Sequence, residues 1–487
     1  MSRPILAGYP ASSADEAVSP DRRLRDDYAV LGPALDRLGV EGLAAAAGAM
    51  AVEREARGVT VASWSDGRQT VQPLPLDPFP RIVSAADWAR VAAGVEQRHR
   101  ALNAFLADAY RAAGRRRGDA DRDPELVRAG VLPQWAVAHS PARHPDAVGL
   151  AWPGQLRATV AAVDVLRTAS GEWMASADHL RMPAGLGYAL VNRESAHAAL
   201  PDVTASAPDD PREALTVLRE GLATVAPPGT ATSRIAVLSA GESDNAWFEH
   251  RFLADALGVP LVRAADLWPR PDGGVEASID GVRRPVDVLY RRFDDGMLGA
   301  FRTPTGQSLD VLLTEAVRSG RLGLANVPGN GLADDTATYA WVPAMIRFYL
   351  GEEPIIASVP TWVLADERQW AQVRDRLHEL VVKPVAGYGG RGTVFGPACS
   401  AAELAALEAE VAAAPYRYVV QEPVAATTMP TLVDGTFVPR RVDLRVVSVA
   451  GPRGTTRALR APLTRVALGP TPGAGRGTKD TWLLGSP

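Results

Sequence analysis

Lysine is almost missing from this chain. Of 52 lysine and arginine residues only Lys383 and Lys479 are lysines, so arginine has replaced lysine nearly everywhere, as in a GC-rich genome, and two positions resisted. Cysteine occurs once, at Cys399, which excludes an intramolecular disulfide and a cysteine metal cluster. No apolar run reaches the roughly 18 residues that a membrane-spanning helix needs. Residues 1–20 lack the apolar core of a secretory signal. Neither sign of charge dominates: the net charge is -4, which gives no general attraction to nucleic acid or to an anionic membrane. Two nucleotide-binding signatures are absent as well. No G-x-x-x-x-G-K-[ST] occurs, and no G-x-G-x-x-G follows the strand pattern at Ile235–Leu238, which argues against a dinucleotide oxidoreductase. What remains is 487 residues, 47% apolar and 22% charged, enough chain for about three domains of a soluble, cytoplasmic protein.

The scarce lysines both lie in glycine-rich stretches. Residues 380–396 read LVVKPVAGYGGRGTVFG: an apolar strand, Lys383, a turn holding Gly387, Gly389, Gly390 and Gly392, then a second short strand. Glycines let backbone N–H groups close on an anion, and a lysine at the strand end adds a compact positive charge. This is a way to cover a polyphosphate. Lys479 and Asp480 follow a second glycine loop, PTPGAGRGTKDTW, near the end of the sequence.

Taken in order, the chain opens with a helical pattern over 24–50 and a strand, VTVASW, turning at Asp66-Gly67. Ser84 is placed to cap a helix running to about Arg111. Gln97, Arg98, Asn103 and Asp108 lie off its apolar stripe and read as a mostly solvated face, and 114–124 as an exposed loop. ATVAAVDVLR and WMASADHLR flank TASGE as a hairpin, with Asp164 seven residues before Gly171 and Asp178 seven after it. Pairing through that turn would bring two carboxylates together and suit Mg²⁺, with Mn²⁺ as a substitute; otherwise each is an ordinary strand-end aspartate. Residues 201–232 read as a linker with one short helix. The β-α-β pattern after it implies a parallel sheet over 233–332, with Arg291 and Arg292 at the carboxyl end of a strand, where ligands collect, and Glu249 and His250 on the intervening helix. His250 could equally be a satisfied core histidine. In the last third, VDLRVV puts Asp443 and Arg445 on one face of a strand, and Arg465 sits on another.

Read as a series, these motifs resemble the circularly permuted ATP-grasp family of type 2, the glutathionylspermidine-synthase-like carboxylate–amine ligases. The likeness runs through DPFPRIVSAADW, GVEQRHRALNAFLADAY, PAGLGYALVNR, WFEHRFLADALGVPLV, VLYRRFDD, GLADD, MIRFYLGEEP, VVKPVAGYGGRG, VVQEPV, PRRVDLR, LTRVAL and GTKDTW. It implies an α+β and α/β chain: a permuted metal-binding part within 1–200, a Rossmann-like domain over 233–332 and nucleotide-binding lobes over 333–487. It implies ATP clamped between two lobes, with Lys383 on the α/β-phosphates and the loop 387–392 closing over them. Gln421, Glu422 and Val424 would form the hinge around adenine and ribose. Arg445 would meet the γ-phosphate or the acyl-phosphate, with Asp443, Arg465 and Lys479 beside it, and Asp164 and Asp178 would hold Mg²⁺. Arg181, Glu249, His250, Arg291 and Arg292 are the substrate-side candidates. The implied chemistry activates a carboxylate as an acyl-phosphate and passes it to an amine or a thiol. Three positions depart from the family: Ala177, Asp178 and His179 replace Glu-Asp-Asn, Thr336 replaces a lysine after Asp335, and Pro472-Gly473-Ala474-Gly475-Arg476 replaces an asparagine/serine loop. A nucleotide-binding pseudoenzyme or assembly partner is therefore the rival expectation. Small-molecule or peptide substrates are implied, no nucleic-acid or membrane partner is, and the oligomeric state is open, a homo-oligomer included.

Overall fold

The computed structural model describes residues 5–6, 8–65, 68–111, 123–152, 155–386, 392–469 and 476–485. The turn Asp66-Gly67, most of the loop 114–124, Gly387, Gly389, Gly390 and residues 472–475 lie outside them.

A nine-stranded sheet organises the chain, built from both ends of the sequence. Its strands run in the order Ala357–Ser358, Trp173–His179, Val160–Arg167, Thr436–Ala450, Leu463–Ala467, Arg476–Leu483 and Leu76–Val83. Thr428–Val433 and Thr456–Ala458 also pair with the long strand Thr436–Ala450. The early hairpin lies antiparallel to that late strand, with Asp164 opposite Arg445, and Leu76–Val83 lies parallel to the last strand. The central strands Val160–Arg167 and Thr436–Ala450 are rich in valine, which suits a pleated surface buried on one or both faces.

The helix Ala85–Ala109 crosses one face of this sheet. Ser84 caps it, accepting a hydrogen bond from the Asp87 N–H at 3.1 Å. Val91 and Val95 pack on Val163, Val165 and Trp173. The polar positions expected on a solvated face are instead buried. Gln97 reaches Glu352 and the Glu353 carbonyl, Asn103 donates to the Ala158 carbonyl at 3.1 Å, and Asp108 accepts from Tyr349 Oη at 2.7 Å. Periodicity finds the apolar stripe but not a second layer that covers the other side.

Two smaller sheets flank the large one. Gly323–Ala325, Val288–Arg291, Ile235–Leu238 and Leu261–Val262 form a parallel sheet with the helix Trp247–Leu257 in its crossover. Thr361–Val363, Tyr418–Gln421, Val381–Pro384 and Val394–Phe395 form an antiparallel sheet. Its outer face packs Val382 and Val420 against Leu407 and Val411 of the helix Ala401–Ala413.

Residues 201–232 do more than connect. The helix Glu213–Ala223 buries Ala214, Leu218 and Leu222 in the core shared with Val447 and Val449. Gly221 sits where a Cβ would fall 1.9 Å from Val449 Cγ1 and 2.8 Å from the Ala450 carbonyl oxygen. Gly221→Ala is expected to destabilise the protein by about 1–3 kcal/mol through this clash, measured by urea unfolding. An unchanged midpoint would mean the helix is not seated there.

Candidate functional site

The site begins with the alternation of the early hairpin. Its register sets Asp164 opposite Ala177, Ala162 opposite His179 and Val163 opposite Asp178. Asp164, Ala177 and His179 therefore share one face, and Asp178 points to the other. On that far face Arg98 grips Asp178 with two hydrogen bonds, at 2.8 and 2.5 Å, and both side chains are buried. The expectation that Asp164 and Asp178 share an ion is thus corrected: the turn pairs the strands, but adjacent register positions project to opposite sides.

Asp164 is crowded by cations. Arg445 donates to both its oxygens at 2.6 and 2.9 Å, Arg465 lies 3.0 Å away, and His179 Nε2 is 3.0 Å from Oδ2. Burial alone would push this carboxyl up, but the Arg445 and Arg465 charges, with His179, outweigh it and hold it well below the carboxylate range. Arg465 also makes a two-bond contact with Asp443, at 2.6 and 2.9 Å. Burial opposes its charge, yet Asp164 and Asp443 raise its pKa further. Arg476, at the end of the second glycine loop, is lowered chiefly by the Arg465 charge.

Lys383 approaches from the small sheet. It shares a face with Gln421, whose side-chain oxygen accepts from Nζ, and Gln421 in turn donates to Thr361 Oγ1 at 3.0 Å. Burial pushes the ammonium down to about 8, while the Asp164 charge raises it and the Arg476 charge lowers it. Lys383 is therefore within electrostatic reach of Asp164 and Arg476 on the large sheet. Gly392 lies in the left-handed region at φ 73°, as a glycine turn requires. Glu422 accepts from Arg376 at 3.2 Å and holds the Pro360 carbonyl through its N–H at 3.1 Å; the Val424 carbonyl accepts from Ala426 N–H at 2.9 Å. A cavity of about 600 Å³ opens beside the same sheet, lined by Trp135, Ser140, Asp335, Val385, Ala386 and Tyr418.

Other expected site residues fall elsewhere. Lys479 is on the opposite face of its strand from the arginines, fully buried, bound to Asp77 and to the Pro430 carbonyl at 2.7 Å. It is therefore a core pin and not part of the cleft. Glu249, His250, Arg291 and Arg292 are fully or nearly fully buried and present no open face to a substrate. Glu249 accepts from the Gly185 and Gly187 N–H groups at 2.6 and 2.9 Å and from Arg292 at 2.7 Å. His250 meets Ser239 Oγ at 2.8 Å, and Arg291 pairs with Asp295 at 2.7 Å. Glu249 and Arg292, which also donates to the Pro183 carbonyl, brace the turn at Gly185, whose neighbour Ala184 accepts from Arg445 at 3.2 Å. Arg181 is engaged by Asp294 at 2.9 Å and Asp334 at 3.4 Å. His179 and Arg476, marked in the sequence only as departures from the family pattern, join the arginine cluster around Asp164.

Mg²⁺ asks for near-octahedral oxygen ligands, with one or two carboxylates from the protein. Asp164 already carries guanidinium groups on both oxygens, position 177 opposite it is alanine, and no group of three His, Cys, Asp or Glu side chains suited to a metal ion occurs among the described residues. The residues do not fit a bound cation.

A family model described as circularly permuted ATP-grasp type 2 matches residues 80–467. A protein of Frankia alni, provisionally named glutamate–cysteine ligase 2-3, is 39% identical over 98% of this chain, and the chain spans 54% of its length. An uncharacterized protein of Synechocystis sp. is 34% identical, with 88% of each chain covered. A glutathione synthetase-like effector of Globodera pallida, in its apo form, superposes with a TM-score of 0.55 at 13% identity, covering 91% of this chain and 97% of its own. At that identity the likeness concerns the fold.

Proposed function

The chain belongs to the circularly permuted ATP-grasp family, type 2, and from that premise we propose that it is an ATP-dependent ligase joining a small carboxylate to an amine or a thiol. The observation that carries this reading is the cationic cleft, with Lys383 on one sheet and Arg445, Arg465 and Arg476 across from it. Lys383, oriented by Gln421, takes the α/β-phosphates. The backbone at Glu422 and Val424 borders the base. Arg445 and Arg465 meet the phosphoryl group being transferred.

In the reaction the γ-phosphoryl group passes to a carboxylate oxygen, giving an acyl-phosphate and ADP. The amine nitrogen then attacks the acyl carbon, phosphate leaves with the C–O electron pair, and the amine proton is released. Such transfers need positioning and preorganised positive charge more than covalent help, and arginine supplies both. ADP and phosphate are expected only when an acid and an amine or thiol acceptor are both present, which a coupled ADP assay over a panel of amino acids and polyamines reads directly.

A second reading is favoured by Ala177, which leaves Asp164 without a carboxylate opposite it on the partner strand of the hairpin. On it the chain binds nucleotide without turnover. Nucleotide binding with no acceptor-dependent ADP, in Mg²⁺ and in Mn²⁺, would decide for that alternative.

The depressed Lys383 ammonium gives a pH signature. Its charged form binds the anion, and that form is lost as pH rises through about 8. Nucleotide affinity is expected to be level below that pH and to fall by up to about tenfold per unit above it. Lys383→Arg should flatten the profile. A level wild-type profile across the same range, by calorimetry, would show that the ammonium does not meet the ligand.

A further inference from the structure

The arginines of the cleft stand where a metal-dependent site would place its cation. Four cationic side chains, Lys383, Arg445, Arg465 and Arg476, face two carboxylates, Asp164 and Asp443, and both carboxylates are already bound by guanidinium groups. His179 also stands on this face, 3.0 Å from both Asp164 Oδ2 and Arg445 Nη2. A divalent ion entering here would meet a surplus of like charge in a partly buried setting, where repulsion is weakly screened. It would also have to strip Asp164 of three partners and Asp443 of its two-bond contact with Arg465.

A phosphate chain meets the opposite situation. Guanidinium groups match phosphate oxygens in pairs, and they bring charge without needing ligands of their own. The Arg476 guanidinium has no hydrogen bond among the described residues, its residue is exposed, and the Arg465 charge acts on it. Lys383 spends one of its three N–H donors on Gln421. Arg445 is held from behind by Ala184, on the turn that Glu249 fixes. The site is therefore built and supported from below, with donors left for a ligand above.

We infer that the cleft binds a polyphosphate directly on Arg445, Arg465, Arg476 and Lys383, with these side chains filling the place of a divalent cation. This deepens the nucleotide reading above and concerns the same site. ATP would bind as the free tetra-anion, and its complex with Mg²⁺, which carries less negative charge, would bind more weakly.

Calorimetry with ATP and with inorganic tripolyphosphate, each in EDTA and in excess Mg²⁺, tests it. Both ligands are expected to bind in EDTA, and Mg²⁺ should weaken ATP binding by about tenfold or more, the equivalent of one charge-assisted hydrogen bond. ATP binding that requires Mg²⁺, or is tightened by it, overturns the inference, as does failure of both ligands in EDTA. Tripolyphosphate binding without ATP binding keeps the polyphosphate site and removes the nucleotide reading, so the two fail separately. Arg476→Gln, at an exposed position, should lower tripolyphosphate affinity in EDTA about tenfold without moving the unfolding midpoint, and an unchanged affinity removes Arg476 from the site. Mn²⁺ alone, followed by electron paramagnetic resonance, should show no stoichiometric site that Asp164→Asn abolishes; finding one overturns the inference.

Discussion

Lys479→Ala is expected to destabilise the protein by about 3–5 kcal/mol while leaving nucleotide affinity intact in the folded fraction. The ammonium lies in the core with Asp77, and Asp77 also accepts from the Phe79 N–H at 3.0 Å and the Leu432 N–H at 2.7 Å. Removing the lysine strands a carboxylate charge among Phe79, Trp482 and Met429. A buried ion pair adds little by itself, but breaking one side of it leaves an uncompensated charge, and that is where the loss arises. Adding Asp77→Asn removes the stranded charge and keeps an acceptor, so the double variant should recover part of the loss. Urea midpoints for the three proteins are the measurement. A single variant within about 0.5 kcal/mol of wild type would show that the pair does not hold the sheet edge.

The other lysine is expected to behave in the opposite way. Lys383→Ala should weaken nucleotide binding roughly 10- to 150-fold, the about 1.5–3 kcal/mol of a hydrogen bond to a charged group, with little change in stability. Among the described residues its Nζ hydrogen-bonds to Gln421 alone, whose side chain keeps Thr361 as a partner. Equal affinity in the variant, by calorimetry, would remove Lys383 from the phosphate site. The crossed pattern, one lysine read in stability and one in affinity, separates two residues that the sequence presents alike.

That likeness marks how far linear reading reaches. Both lysines follow or precede glycine loops, and both survived the replacement of lysine by arginine. Position within a strand separates them. Thr478 pairs with Arg465 on the cleft side, so Lys479, one residue on, points into the core. The same one-residue logic separates Asp164 from Asp178. Counting seven residues either side of Gly171 finds the hairpin, but a bulge between Asp164 and Val165 and the alternation of the strand decide which carboxylate faces the cleft. Charges at the end of Val288–Arg291 were legible as a cluster. Their burial was not, because the Gly185 turn and the helix Trp247–Leu257 reach them from other parts of the chain.

By itself the sequence determined the elements and their order: the capped helix, the parallel β-α-β unit, the lysine-bearing strand before the glycine loop, and the serial motifs of the family. These follow from local chemistry, since caps, turns and periodicity act over a few residues. Which side chains meet was decided only by the tertiary structure. The large sheet joins strands from opposite ends of the chain, with Val160–Arg167 beside Thr436–Ala450 and Leu76–Val83 beside Arg476–Leu483. Register between partners so distant is set by packing of whole faces, and a shift of one residue turns a ligand-facing side chain into a core one.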